Sequence, residues 1–434
     1  MNLPSKNQAV NTELVGAPPV YSFLGASRLL PIDTRRHLDG VEGGGVDRLS
    51  CGSILAPLGT ICEIMQPPQG RGGKDSLFFR LKKWGRQAVQ REIIQRKRAQ
   101  FCHRAIAPIM APGGKLLPRG FVDIWKSGKG NFGYGGLITC GSVWVCPVCA
   151  SKIAEHRRAD LKKALDLVPE LFYPGGNVYH LTLTAPHHMG ESLLSLLEKM
   201  THARRLMLNR KPWKRFQLMA GLRGSIRALE VTHSHFNGWH VHFHVLLVCN
   251  DPSMPRLAIA EDFRAEQIQN MRGDVFQQWR AACLTAGLEA PTEKYGVDLA
   301  DGASAAEYVS KWGVEDEMTK GHIKKGRDGH LSPFEFLDKV IEGDDRYKAL
   351  FLEFDKAFRG RRQLVWSDGL RDLLSIEAEK TDEEIADGQD PDSELFAQIT
   401  ARQWGVILRK EKRGQVLEAC RGGKEALRAY LEGV

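Results

Sequence analysis

Residues Asn237–Val248 read NGWHVHFHVLLV, and the alternation in that stretch decides how the chain is understood. Side chains on a strand point to opposite faces in turn, so His240, His242 and His244 project from one face while Val241, Phe243, Val245 and Leu247 project from the other. The apolar set defines a core face. Three imidazoles in register on the opposite face are costly ornaments for a sheet, and they are good ligands for divalent ions. The preceding stretch, GSIRALEVTH (224–233), alternates in the same way and is joined to the histidine stretch through SHFNG, a turn-like segment. Antiparallel pairing of the two places Glu230 opposite His242 or His244. A carboxylate beside imidazoles, with positions left open, suits Mg²⁺ or Mn²⁺ acting on phosphate.

Outward from the hairpin, NVYHLTLTAPHH (177–188) predicts another strand, with Tyr179, Leu181 and Leu183 alternating against His180, Thr182 and Thr184. Helical periodicity follows from Gly190 to about Met207, from Ile259 to Leu288 and from Ala303 to about Trp312, with a further strand near EKYGVDLA (293–300). Strand, helix, hairpin, helix in that order predicts an α+β fold, an antiparallel sheet with helices on one face. The sequence divides into a Gly- and Pro-rich tail over 1–75, a basic helix with a cysteine-rich segment over 76–160, the sheet region over 161–332, and a mainly helical part over 333–434. That last part contains an acidic stretch, EAEKTDEEIADGQDPDSE (377–394), expected to be solvated.

The chain of 434 residues has a formal net charge of +9 and a pI near 9.0, which favours an anionic partner, nucleic acid first. No apolar run reaches the roughly 18 residues of a spanning helix, and the first residues lack the apolar core of a signal peptide, so a cytoplasmic protein without membrane association is expected. Nine cysteines do not suggest a secreted disulfide framework. CGSVWVCPVC instead sets Cys140, Cys146 and Cys149 close together, and the Cys-Pro-Val-Cys knuckle aims two thiolates at one structural zinc ion. Cys102 is the expected fourth ligand, with His103 as its substitute. Leu81, Trp84, Val89, Ile93 and Ile94 line one face of the basic helix; its cationic face is either plainly solvated or contacts phosphate. Arg204, Arg205, Arg210, Lys211, Lys214 and Arg215 gather around Trp213 and Phe216, a mixture that suits phosphate contacts with base stacking as well as it suits a solvated helix end with two core aromatics. Lys324 and Lys325 lie in a second basic stretch, TKGHIKKGRDGH (319–330).

The WHVHFHVLLV strand resembles the histidine strand of the HUH endonucleases, most closely the rolling-circle replication initiators of small bacterial plasmids. The resemblance spans about residues 100 to 370. It implies that His242 and His244 are the metal ligands, with His240 and Glu230 as further ones. HLTLTAP (180–186) resembles the first motif of the family, and AAEYVSKWG (305–313) its tyrosine helix, which makes Tyr308 the nucleophile and Lys311 its helper. Some relatives carry a terminating glutamate four residues before the tyrosine; here that position is Ser304, and Glu307 points elsewhere on a helix. The implied activity is nicking of one DNA strand with a covalent 5′-phosphotyrosine link, in partnership with a host helicase and polymerase. The rival readings are a single-tyrosine transposase or relaxase, a water-using metal hydrolase, and a zinc-dependent DNA-binding regulator without catalysis.

Overall fold

The histidine stretch forms one half of a long hairpin. Leu222–Ser234 and Gly238–Asn250 pair antiparallel from Leu222↔Cys249 to Ser234↔Gly238, with a register shift between Leu222 and Gly224. The turn depends on Gly238, whose φ of +72° suits glycine and whose missing Cβ would stand 2.9 Å from the His188 carbonyl oxygen. The Ser234 hydroxyl accepts a 2.9 Å bond from the Asn237 amide and closes the loop.

The computed structural model describes residues 77–173, 175–250, 261–301 and 329–434. In chain order the main elements are α1 (Leu77–Ile93), α2 (Lys97–Phe101), β1 (Phe121–Lys126), β2 (Phe132–Gly135), α3 (Pro147–Leu171), β3 (Gly176–Thr184), α4 (Leu193–Asn209), α5 (Lys211–Met219), β4 (Leu222–Ser234), β5 (Gly238–Asn250), α6 (Glu261–Thr285), β6 (Val297–Ala300), β7 (His330–Leu331), α7 (Pro333–Ile341), α8 (Arg346–Phe358), β8 (Leu364–Trp366), β9 (Glu394–Thr400), α9 (Ala401–Arg409), α10 (Arg413–Ala419) and α11 (Gly423–Glu432). The protein is mixed α+β, and every strand pairing is antiparallel. The main sheet runs β8-β4-β5-β3-β6, with β7 pairing the hairpin end of β4. The strand expected near EKYGVDLA is β6.

One face of this sheet carries Tyr179, Leu181, Leu183, Leu229, Val241, Phe243, Val245 and Leu247. It packs on α4, α6, α7 and α8 through residues such as Leu196, Met200, Trp279, Phe336 and Phe354. The expectation of helices on one face needs correction. Ile226, Ala228, Leu246, Val248 and Val178 are apolar on the opposite face, so that half of it must also be covered, and α3 does so with Leu161, Ala164 and Val168. The histidines occupy the rest of that face, where His242 and His244 are buried.

A second sheet, β9-β1-β2, joins the end of the chain to its cysteine-rich region. Val122, Ile124, Cys146, Ile153, Ile399, Trp404, Ile407 and Val416 share one core, so residues from the expected cysteine-rich and C-terminal parts are packed as one body. Part of the acidic stretch is docked as well: Asp382 takes a 2.6 Å ion pair from Arg157, and Lys152 donates 2.9 Å to the Ala386 carbonyl. The basic helix α1 is not plainly solvated. Trp84, Val89 and Ile93 are buried, and Lys82 and Arg86 converge on Asp338 of α7 at 2.7 and 2.6 Å.

Candidate metal centre

β4 and β5 set Glu230 directly across from His242, with His244 one pleat further along. A single carboxylate oxygen, Glu230 Oε2, stands 3.1 Å from His242 Nε2 and 3.1 Å from His244 Nε2. All three side chains are largely shielded. Donor atoms held about 2.1 Å from one ion lie roughly 3.0–3.4 Å apart in octahedral or tetrahedral geometry, so these separations fit a common ion without rearrangement.

The neighbouring strand fixes the histidine that completes the group. β3 pairs with β5 so that Thr182 faces His244, and the Thr182 hydroxyl lies 3.3 Å from His244 Nδ1. His180 Nε2 is 3.2 Å from the same Nδ1, and the His180 and His244 rings stack at 5.2 Å. Partners at Nδ1 leave Nε2 turned toward Glu230, the outer support that metal-binding histidines ordinarily have. Sequence reasoning placed His180 and Thr182 on this face but gave them no role; their parity with the histidines was the available signal.

His240 is not brought into the group whose donor atoms lie within 4.8 Å of one another. The group is centred between His242 and His244, and alternate residues on a strand are about 6–7 Å apart, which leaves His240 a step too far away. Its ring stacks instead on His187 at 4.7 Å and lies 5.9 Å from His330. Burial, then the neighbouring histidines, push its pKa down to about 3, and burial also lowers that of His187. Tyr308, Lys311, Lys324 and Lys325 lie outside the described residues, as do Ser304 and Glu307.

A second convergence forms at the start of α3. Pro147 takes the first helical position, where a missing N–H costs nothing, so Cys146 at the cap and Cys149 in the first turn point the same way. Cys102 follows α2, and its Sγ lies 3.6 Å from that of Cys146 and 3.4 Å from that of Cys149; Cys140 Sγ is 3.7 Å from Cys149. Four sulfurs 2.3 Å from a tetrahedral zinc are about 3.8 Å apart, so the set fits such an ion. The Cys140 amide and Gln87 Nε2 approach Cys102 and Cys146 sulfurs at 3.3 and 3.5 Å, which favours thiolate. Hydrogen bonds from the other three thiols hold the Cys149 thiol well below its ordinary pKa. Cys102 rather than His103 completes the set; the His103 ring packs edge-on against Trp84.

The basic cluster divides by environment. Arg205, Lys211, Lys214 and Arg215 are exposed. Arg210 donates 2.9 Å to the Thr285 hydroxyl, and Arg204 is half-buried with its guanidinium 5.9 Å from the Phe243 ring. Trp213 and Phe216 are buried and stacked on each other at 4.9 Å, so the base-stacking role weighed for them is corrected: they belong to the core between α5 and α6.

Comparison with known proteins agrees with this region. Residues 138–255 match a family described as replication protein. The chain is 25% identical over 339 residues to "Protein rep" of Streptomyces lividans, covering 63% of this chain and 73% of that one. It is 27% identical over 137 residues to a "Neomycin resistance protein" of Streptomyces cyanogenus, covering 26% of this chain and 31% of that one. No solved structure matches it. Within the described residues no helix is long and apolar enough to cross a membrane. The matched stretch contains Cys140, Cys146 and Cys149 and the whole Glu230–His242–His244 group, and with it the resemblance to the plasmid replication initiators holds.

Proposed function

We propose that this replication initiator begins synthesis by nicking one DNA strand at its origin, with Tyr308 as nucleophile in an HUH-type site. The observation that carries the reading is the convergence of Glu230, His242 and His244 on one hairpin inside a replication-protein region. Glu230, His242 and His244 would hold a divalent ion, Mn²⁺ or Mg²⁺, which would supply positive charge to offset the negative charge that develops on the phosphate. Glu230 lowers the net charge of the site, and His180 and Thr182 keep His244 in the tautomer that offers Nε2.

Tyr308 Oη forms a bond to phosphorus as the P–O3′ bond breaks, and the departing 3′-oxygen takes a proton and becomes the free hydroxyl from which a host polymerase extends. A phenol is mostly protonated at neutral pH, and Lys311, three residues further along the sequence, favours the phenolate by its charge. Reversal of the same step rejoins the strands. Exposed Lys211, Lys214 and Arg215, with Lys324 and Lys325, hold the DNA through its phosphates, and a zinc ion on the four cysteines is structural.

The test is incubation of the protein with labelled single-stranded oligonucleotides from its own replicon and Mn²⁺, followed by a denaturing gel. Label carried to protein mass, and lost in both Tyr308→Phe and the double variant His242→Ala/His244→Ala, is the expected result. Cleavage without an adduct would mean a water-using hydrolase, and binding without either would mean a non-catalytic regulator. An adduct that survives Tyr308→Phe would move the nucleophile, as in a differently arranged transposase or relaxase.

A further inference from the structure

Beside the Glu230–His242–His244 group, on the same face of the sheet, a cavity of about 490 Å³ opens between the end of β3, the tip of the hairpin and the loop before β6. Its lining includes Thr184, His187, Asn237, His240, Tyr295 and His330. The size falls in the ordinary range of small-ligand sites. Thr184 stands opposite His242 in the β3–β5 register, and the His240 and His242 rings are 5.0 Å apart, so the cavity adjoins the candidate metal position.

Its polar character is specific. His187 Nδ1 lies 3.3 Å from the Ala185 carbonyl oxygen, a contact in which the imidazole donates. At neutral pH the other nitrogen, Nε2, is therefore an acceptor, and that atom is buried with no hydrogen-bond partner. A buried acceptor left unmade costs free energy, which a ligand with an N–H edge would recover. Among the described residues the wall offers no carboxylate or lysine to an ion. It offers flat rings: His187 on His240, stacked within 15° of parallel, and Tyr295 at the rim, 69% exposed. The hairpin tip adds Phe236, 84% exposed, next to Asn237. Flat, uncharged walls with one unmet acceptor suit a heterocycle with N–H donors, and anionic groups belong next door.

We infer that this cavity receives one unstacked nucleobase of the single-stranded DNA substrate, adjacent to the scissile phosphate, with an N–H edge of the base donating to His187 Nε2. The inference rests on the nicking reading for the position of that phosphate. His187 and Tyr295 thereby become specificity-determining residues, able to set which base flanks the nick. Stacking and pairing of one base are together worth roughly tenfold or more in affinity.

The test uses full-length protein labelled with ¹⁵N-histidine, in Mg²⁺, and the tightest-bound oligonucleotide of the replicon panel, intact and with an abasic site at each position in turn. Affinity is read by fluorescence anisotropy and the His187 Nε2 resonance, assigned with His187→Gln, by NMR. We expect one abasic position to weaken binding roughly tenfold and to abolish a shift of that resonance seen with intact DNA. Thr292→Trp, at an exposed position on the cavity wall, should weaken intact DNA equally and remove the sensitivity to that abasic site. In the double variant His242→Ala/His244→Ala, loss of cleavage with retention of the abasic-sensitive shift separates the pocket from the chemistry. If no oligonucleotide is cleaved but the shift and its abasic dependence persist, the nicking reading falls and the base pocket stands. The pocket is overturned if cleavage proceeds while no single abasic position stands out in affinity or shift. It is equally overturned if free nucleosides, but not the oligonucleotide, move the His187 resonance.

Discussion

Glu230 and His242 face each other across the β4–β5 hairpin, with one carboxylate oxygen 3.1 Å from the imidazole Nε2. The same oxygen is equally far from His244, so removing its charge acts on both imidazoles. Glu230→Gln keeps the shape and loses the charge. It should lower Mn²⁺ affinity by roughly tenfold or more, measured by titration calorimetry, with an unchanged circular dichroism spectrum.

His180→Ala tests the outer support. It touches none of the Nε2 atoms in the group, yet it withdraws a partner from His244 Nδ1. Metal affinity should fall roughly 10- to 100-fold, the usual scale for such partners. An unchanged affinity would show that Thr182 alone holds the ring.

The four thiols should retain about one zinc per chain, and their loss should be felt globally, because Cys102, Cys146 and Cys149 lie in the same core as β1, β9 and α10. Cys149→Ser is expected to lower the melting temperature by roughly 10 °C or more in calorimetry. The pH dependence has a definite sign. A zinc ion on the four sulfurs needs them as thiolates, so protons compete with it and the metal-holding folded chain binds fewer protons than the unfolded one. Stability from the site is therefore fully present above the ordinary thiol value of about 8.5 and is lost as pH falls and protons displace the ion. Urea unfolding should therefore be easier at lower pH, and Cys149→Ser should flatten that dependence.

Exposed and buried members of the basic cluster should separate cleanly. Alanine at Lys211, Lys214 and Arg215 is expected to weaken DNA binding across sequences and to reduce the salt slope by about one for each phosphate that is no longer neutralised. Trp213→Ala should instead cost about 3–5 kcal/mol of stability, read by denaturant unfolding, because its ring is packed between helices.

Arg413 has no exposed surface, lies over the Trp84 ring at 4.8 Å, and donates to Gln87 Oε1 at 2.6 Å and to the His103 carbonyl at 3.2 Å. Arg413→Ala breaks the link between α10 and the cysteine-bearing segment. A cost of about 3–5 kcal/mol is expected in denaturant unfolding.

What the sequence made legible were the features with local periods. The two-residue repeat of β5 set the faces, the short turn set the hairpin, and together they put Glu230 opposite His242. The Cys-Pro-Val-Cys knuckle carried its own geometry, and Cys102 was within reach of it. Period alone could not separate a core Trp213 from a base-stacking one, since both occupy one face of an amphipathic helix. Cover for the second face was not legible because Leu246 and Val248 share the parity of the histidines, which makes that face read as polar. The pairing of β9 with β1 joins residues far apart in the chain, and no local pattern announces such a partner. The cavity beside His187 depends on three separate segments meeting and left no trace in any one of them.

That β9–β1 pairing has a consequence for how the protein comes into being. The cysteines leave the ribosome well before the strand and helices that enclose them, and the main sheet is made in between. The cysteine-bearing body can close only once β9 and the helices after it have emerged, whereas β3, β4 and β5 have by then long been available to pair. A chain that ended before β9 would carry every residue of the Glu230–His242–His244 group and leave that apolar core unclosed, so it is expected to be cut by a protease more readily than a chain that contains β9 and α9 to α11.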